Sequence, residues 1–203
     1  MSLSNYSDLQ SSVASWLHRS DLTSVIPDLV TLAEARIARD LRLSNQLATA
    51  TLTCVSGTNT VAVPNGFLEF ENLTLNTDPT RALAFVSYEY LTTKYDEGYV
   101  GIPVHYTIAG TSLVLGPTPD AAYTITASYY KRLDPLASVS TNWLLTNHPG
   151  VYLFGTLAEA APFMQNDERT GLWESKYAQE VARLQDADQR AQYSGSALRV
   201  KAL

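Results

Sequence analysis

Apolar residues recur at helical spacing from the start of the chain. Tyr6, Leu9, Val13, Trp16 and Leu17 fall on one face of a helix. Ser4 is placed to cap it, and Ser7 and Asp8 lie in its first turn, where acidic charge suits the dipole. His18 and Arg19 are expected in its last turn, next to the carbonyl end. After a short turn over 20–24, Pro27 suits the opening of a second helix. Its stripe is Ile26, Leu29, Val30, Ala33, Ile37 and Leu41, with Arg36, Arg39 and Arg42 crowding its C-terminal end. The pattern predicts a helical hairpin over 4–43.

The period then changes to two. Ala50, Leu52 and Cys54 alternate with Thr49, Thr51 and Thr53, giving a buried face and a threonine face. Gly57-Thr58-Asn59 is a turn signal, predicting a hairpin into 60–63, and Pro64-Asn65-Gly66 breaks the chain. Strands are expected over 67–76 and 81–86, a short helix over 88–95 and a loop over 98–103. Val104, Tyr106 and Ile108 alternate with His105 and Thr107, which places the first three on the buried face. Ala109-Gly110-Thr111 turns the chain into 112–115, and Gly116-Pro117-Thr118-Pro119-Asp120 is a rigid turn. Tyr123, Ile125, Ala127 and Tyr129 mark the clearest strand. The short spacings predict an antiparallel meander over 46–132 and not a parallel sheet with crossover helices.

Helical signals return after Asp134-Pro135. Asn142 is placed to cap a turn holding Trp143, Leu144 and Leu145. From Val151 to Met164 the chain is apolar on nearly every side, so that helix must be buried, in its own core or between subunits. Pro162 ends or kinks it. Asn166 or Asp167 is expected to cap a long final helix to about Tyr193, with Gly195 as its stop. The fold class is α+β: an N-terminal helical hairpin, an antiparallel β meander, then a buried helix and a long helix. Residues 1–194 are expected to form a single domain, with helices over 4–43 and 142–193 flanking the β region, and 195–203 a C-terminal tail.

The 203 residues support one ordinary core and little more. Net charge is −6, which disfavours whole-chain attraction to nucleic acid or anionic membrane. No apolar run reaches the ~20 residues of a membrane span, and the N-terminus lacks the pattern of a secretory signal. The single cysteine, Cys54, excludes an internal disulfide framework or a multi-cysteine metal site, and its place among threonines marks a small core residue. Twelve tyrosines against five phenylalanines suit surfaces apolar on one side and wet on the other, subunit interfaces among them.

Catalytic patterns are sparse. No phosphate loop, dinucleotide fingerprint or nucleophile elbow occurs. His18, His105 and His148 are far apart and fall on a helix end, a strand and a loop. Glu69 and Glu71 share a face if 67–76 is a strand, and two carboxylates ~5–9 Å apart serve glycoside hydrolysis. The alternative function is therefore a cell-wall glycoside hydrolase using that pair; a solvated strand face has the same pattern. Tyr129-Tyr130-Lys131-Arg132 sets aromatics beside cations, as single-strand binders do, but only Tyr130 of the two tyrosines faces outward. A monomeric protein-binding module is the other alternative. No catalytic, metal or cofactor-binding residue is assigned.

Several segments carry a resemblance in their order and spacing: 15–23 (Ser-Trp-Leu-His-Arg-Ser-Asp-Leu-Thr), Ile26-Pro27-Asp28, Ala33-Glu34-Ala35-Arg36-Ile37, 63–69, 106–110 through Leu115-Gly116-Pro117-Thr118-Pro119-Asp120, Tyr129-Tyr130, 142–145 and Tyr152-Leu153-Phe154-Gly155. Together they resemble head-to-tail adaptor (connector) proteins of tailed bacteriophages, particularly short-tailed ones, over most of 5–193. The resemblance implies a structural virion protein without enzymatic activity or cofactor. It implies a homo-oligomeric ring of twelve copies (a dodecamer) beneath the portal protein. The ring would extend the DNA channel and offer a platform for tail or nozzle proteins. The implied location is the virion's head–tail junction, with assembly in the host cytoplasm. Genomic DNA would pass through at ejection without sequence-specific binding, and no membrane is involved.

Two segments are expected to carry the assembly contacts. In the tail, Leu198 and Val200 alternate with Arg199 and Lys201, and with Leu203 they are candidates for docking on the portal by strand addition. In the final helix, Arg169, Lys176, Arg183 and Arg190 recur every seven residues as a basic row. Trp173, Tyr177, Leu184, Ala187 and Ala191 form the apolar seam beside it, and Asp167, Glu174 and Asp188 form an acidic row on the seam's other side. Opposite flanks of opposite charge suit contacts between neighbouring subunits of a ring.

Overall fold

The structure is a computed structural model that describes residues 3–19, 21–96, 98–164 and 169–193. The expected α+β body is built from two compact units, one from residues 1–44 with 133–203 and one from 45–132.

The first unit is helical. α1 (Tyr6–Leu17) is capped by Asn5, whose side chain accepts from the Asp8 backbone N–H at 2.9 Å. The cap is thus one residue later than Ser4, whose own N–H donates to Asp8 Oδ2. α1 also ends earlier than expected: His18 adopts a left-handed φ of 54° and stops the helix. Arg19 lies outside it and pairs with Asp21 instead of the helix dipole. α2 (Ile26–Asp40) has Pro27 in its first turn and buries Ile26, Leu29, Val30, Ala33 and Ile37, as the periodicity predicts. Arg42 lies past its end and donates to the Ala38 and Leu41 carbonyls at 2.7 and 2.8 Å.

After α4 (Leu136–Val139), Asn142 caps α5 (Trp143–Asn147) by accepting from Leu145 N–H at 3.0 Å. Its amide also donates to Tyr152 Oη at 2.7 Å. α6 (Pro149–Glu159) is the centre of this unit and packs against α1, α2, α5 and α7 (Arg169–Tyr193). It buries Val151, Tyr152, Leu153, Gly155, Thr156 and Leu157. The all-round apolar helix is therefore buried within its own unit, and a neighbouring subunit is not needed to cover it. Pro162 sits in the 3₁₀ turn Ala161–Phe163, beyond the end of α6. The expected caps Asn166 and Asp167, and the stop at Gly195, lie outside the described residues.

The second unit holds β1 (Leu47–Cys54), β2 (Thr60–Ala62), β3 (Phe67–Leu75), β4 (Arg81–Ala82), β5 (Ala84–Phe85), α3 (Tyr88–Lys94), β6 (Val100–Gly101), β7 (His105–Ala109), β8 (Ser112–Gly116), β9 (Thr118–Pro119) and β10 (Tyr123–Lys131). One sheet runs β1-β10-β3-β4 and another β2-β8-β7-β5, while β6 and β9 form a small parallel pair. The long pairings are antiparallel, and β5 joins β7 in parallel. Cys54, Leu73, Leu75, Leu113, Leu115, Ile125 and Ala127 form the core these sheets share.

Four local expectations are corrected. The turn at Gly57, with φ of 76°, does not close a hairpin: β2 pairs with β8, so the turn carries the chain from one sheet to the other. The expected strand over 81–86 is split at Leu83, with β4 on β3 and β5 on β7. The expected loop over 98–103 contains β6. On β7, Thr107 is buried and Ile108 is exposed, against the alternation. The physical reason is that the sheet is covered on both faces. His105 meets Tyr90 and Tyr95 of the α3 region, while Tyr106 on the opposite face meets Phe70 and Phe85. A strand covered on both sides loses the two-residue contrast. Val114, opposite Thr107, is buried like its neighbours Leu113 and Leu115.

Candidate assembly surfaces

α7 presents the charge rows. Its buried face is Trp173, Tyr177, Val181 and Leu184; Ala187 and Ala191 of the expected seam are exposed, because α7 outruns the core it packs on. Val181 escapes the seam drawn from the sequence, although it lies four residues after Tyr177.

The acidic row is engaged inside the chain. Glu174 forms a two-pronged ion pair with Arg36, one bond at 2.9 Å. Arg36 also lies 3.6 Å from Asp40 and from Glu159, and its guanidinium sits 4.2 Å from the centre of the Tyr177 ring. The Tyr177 hydroxyl donates to Asp40 at 2.7 Å. Hydrogen bonding to Glu174 raises the Arg36 pKa, and the same contact lowers that of the Glu174 carboxyl. Burial, then the bond to Asp40, push the Tyr177 phenol up. Asp188 accepts from the Ser44 N–H at 3.1 Å, from its hydroxyl, and from Gln192 at 2.8 Å. Asp167 lies outside the described residues.

The basic row is more open. Arg169 donates to the Trp16 carbonyl at 3.2 Å and stacks over Trp173. Arg183 meets Glu180 one turn away, with 65% of its side chain exposed. Arg190 donates to the Asp186 carbonyl, and Lys176 is exposed. The Arg36 cluster is the feature the sequence hid. Arg36 reads there as one of three cations at a helix end, and its partners Glu159 and Glu174 lie more than 120 residues away.

On the second unit, tyrosines gather around α3. Tyr88, Tyr90 and Tyr99 are exposed, and Tyr95 shares a hydrogen bond of 2.6 Å with His105 Nδ1. Burial, then the charge of Lys94, hold His105 below the usual imidazole range. Gly116 makes room for Tyr95: a Cβ there would stand 2.5 Å from its ring. A cavity of about 460 Å³ opens beside it, lined by Tyr88, Leu91, Tyr95 and Val114 among others.

The catalytic candidates are not assembled into a site. Glu69 faces Tyr130 across the ladder, but a bulge leaves Glu71 unpaired in register between Phe70 and Asn72, so the regular same-face spacing is broken. Cys54 is fully buried, and burial pushes its thiol up. His105 is in the second unit, His18 and His148 in the first. Among the described residues no cluster of three His, Cys, Asp or Glu is arranged to hold a metal ion, and no helix is long and apolar enough to cross a membrane. The tail candidates Leu198, Arg199, Val200, Lys201 and Leu203 lie outside the described residues.

Comparison with known proteins accords with a chain whose notable features are surfaces. No curated protein matches it. The sequence model of the SU10 adaptor protein family matches residues 4–201, which carries the likeness past Gly195 and into the tail. The chain therefore belongs to the SU10 adaptor protein family, a family of phage head–tail adaptors, and is a structural protein of the virion.

Proposed function

We propose that copies of this chain form a twelve-membered ring beneath the portal of a short-tailed phage, extending the DNA channel and giving the tail or nozzle proteins their platform. The observation that carries this is the family match over 4–201. The charge supports it: a chain of net −6 offers passing DNA no general attraction, so the duplex slides without sticking. Assembly takes place in the host cytoplasm. In this ring the exposed cations of α7, Lys176 and Arg183, face a neighbouring copy and help set its orientation.

Electron microscopy of the purified chain mixed with its portal is the test. A second ring stacked on the portal, twelve-fold in end view, is the expected result. Portal particles that carry single, non-touching copies would overturn the proposal.

A further inference from the structure

Among the described residues β1 is the outermost strand of its sheet and pairs only with β10, over all eight of its residues. In an antiparallel ladder alternate residues turn their N–H and C=O toward the partner, so about four residues of β1 present theirs to the open side. Protein edges are normally blunted by charge, proline or a bulge. β1 reads Leu-Ala-Thr-Ala-Thr-Leu-Thr-Cys and has none of these. The apolar layer beneath the sheet is also unfinished there. Ile125 and Ala127 on β10 are fully buried, whereas Ala48, Ala50 and Leu52 of β1 are only half-buried. One more strand would satisfy the backbone and close the layer together.

The chain carries a segment that fits. Residues 196–203 read Ser-Ala-Leu-Arg-Val-Lys-Ala-Leu, eight residues against the eight of β1. Leu198, Val200 and Ala202 fall on one side of an extended chain and match the open apolar layer. Arg199 and Lys201 fall on the other, beside the exposed Thr49, Thr51 and Thr53. The match to the family reaches residue 201, so most of this segment belongs to the family's shared chain.

We infer that the C-terminal segment of one copy, expected from the sequence to dock on the portal, instead adds as a strand to β1 of a neighbouring copy. This rests on the ring proposed above. A segment and an edge are two different surfaces of one chain, and such a pair propagates head to tail, closing into a ring where the rotation from copy to copy divides a full turn.

The test is cross-linking in the assembled ring. Thr51→Cys and Arg199→Cys are placed on separate batches of chain, which are mixed, assembled on the portal and treated with a short bis-maleimide; Thr49→Cys and Thr53→Cys cover the neighbouring registers. The buried Cys54 leaves the parent chain as an unreactive control. Chain-to-chain dimers are expected from the mixture, and a ladder of higher multimers when both substitutions share one chain. Truncation after Gly195 should lower the yield of rings per portal at least tenfold. Rings visible by microscopy but without inter-chain products overturn the inference alone. So do products confined to one chain, or products that join the Arg199→Cys chain only to the portal. Failure to form any ring overturns the ring and this contact together.

Discussion

Replacing Gly155 with alanine sets a helix preference against a packing limit. In the interior of a helix, Gly→Ala ordinarily stabilises by about 0.8–1.0 kcal/mol. A Cβ on Gly155 would stand 3.2 and 3.3 Å from carbon atoms of the Tyr177 ring and 3.7 Å from Ala33 Cβ. Carbon contacts are optimal near ~3.5–4.0 Å, so the ring must move by a few tenths of an ångström. It is poorly placed to do so: Tyr177 is 2% exposed, bonded to Asp40 at its hydroxyl and covered by Arg36 on its face. Overpacking of this kind costs roughly 1–3 kcal/mol, so the expected net effect is a loss of about 1 kcal/mol. Gly171, in the first turn of α7, has no atom within 4 Å of its ideal Cβ. The same substitution there should stabilise by about 0.5 kcal/mol. Urea unfolding followed by tryptophan fluorescence measures both. Trp16, Trp143 and Trp173 all lie in the first unit, so the signal reports that unit specifically. Combining Gly155→Ala with Tyr177→Leu should show a favourable coupling of about 1 kcal/mol, because the smaller side chain vacates the contact. A Gly155→Ala chain at least as stable as the parent would refute the packing argument.

Thr156 is fully buried on α6, and its hydroxyl has no hydrogen-bond partner among the described residues; Thr156→Val should raise stability by about 1 kcal/mol in the same assay, and a loss would mean the hydroxyl is satisfied. Arg36 lowers the Glu174 pKa, so their contact stabilises the fold above the ordinary glutamate value near 4.5 and is lost as pH falls below that and through the lowered folded value. Glu174→Gln should therefore narrow the difference between urea midpoints at pH 7 and pH 4, and an unchanged difference would count against the ion pair. Reversing Lys176 and Arg183 to Glu should reduce ring yield on the portal at low salt and matter less at high salt, as exposed pairs do; equal yields at low salt would make that side of α7 a solvated face.

The helical regions were legible because each element has one buried stripe. Ile26, Leu29, Val30, Ala33 and Ile37 announce α2, and Asn142 announces α5. The strands were legible as strands, and Ile125, Ala127 and Tyr129 gave the correct buried face of β10. Pairing was not legible. Gly57 marks a turn whether the chain doubles back or changes sheets, and nothing near Leu83 records that its two flanks join different sheets. Burial on β7 was hidden for a related reason, since α3 covers one face of the sheet and Phe70 and Phe85 contribute to the other. For the assembly surfaces, the charge rows of α7 were visible as spacing. Arg36, which pairs with Glu174, and Ser44, which donates to Asp188, sit more than 130 residues away, where no local pattern points to them.

The pairing of β1 with β10 brings Leu47 opposite Tyr130, at the two ends of the β unit. The polypeptide therefore leaves the helices after Ser44 and returns to them at Leu133 through neighbouring strand ends. A module joined this way can be lengthened, shortened or replaced without rerouting the helices, because the gap it must span stays at one strand spacing, about 5 Å. Recombination between phages could then exchange the β module as a cassette while the helical unit keeps its topology.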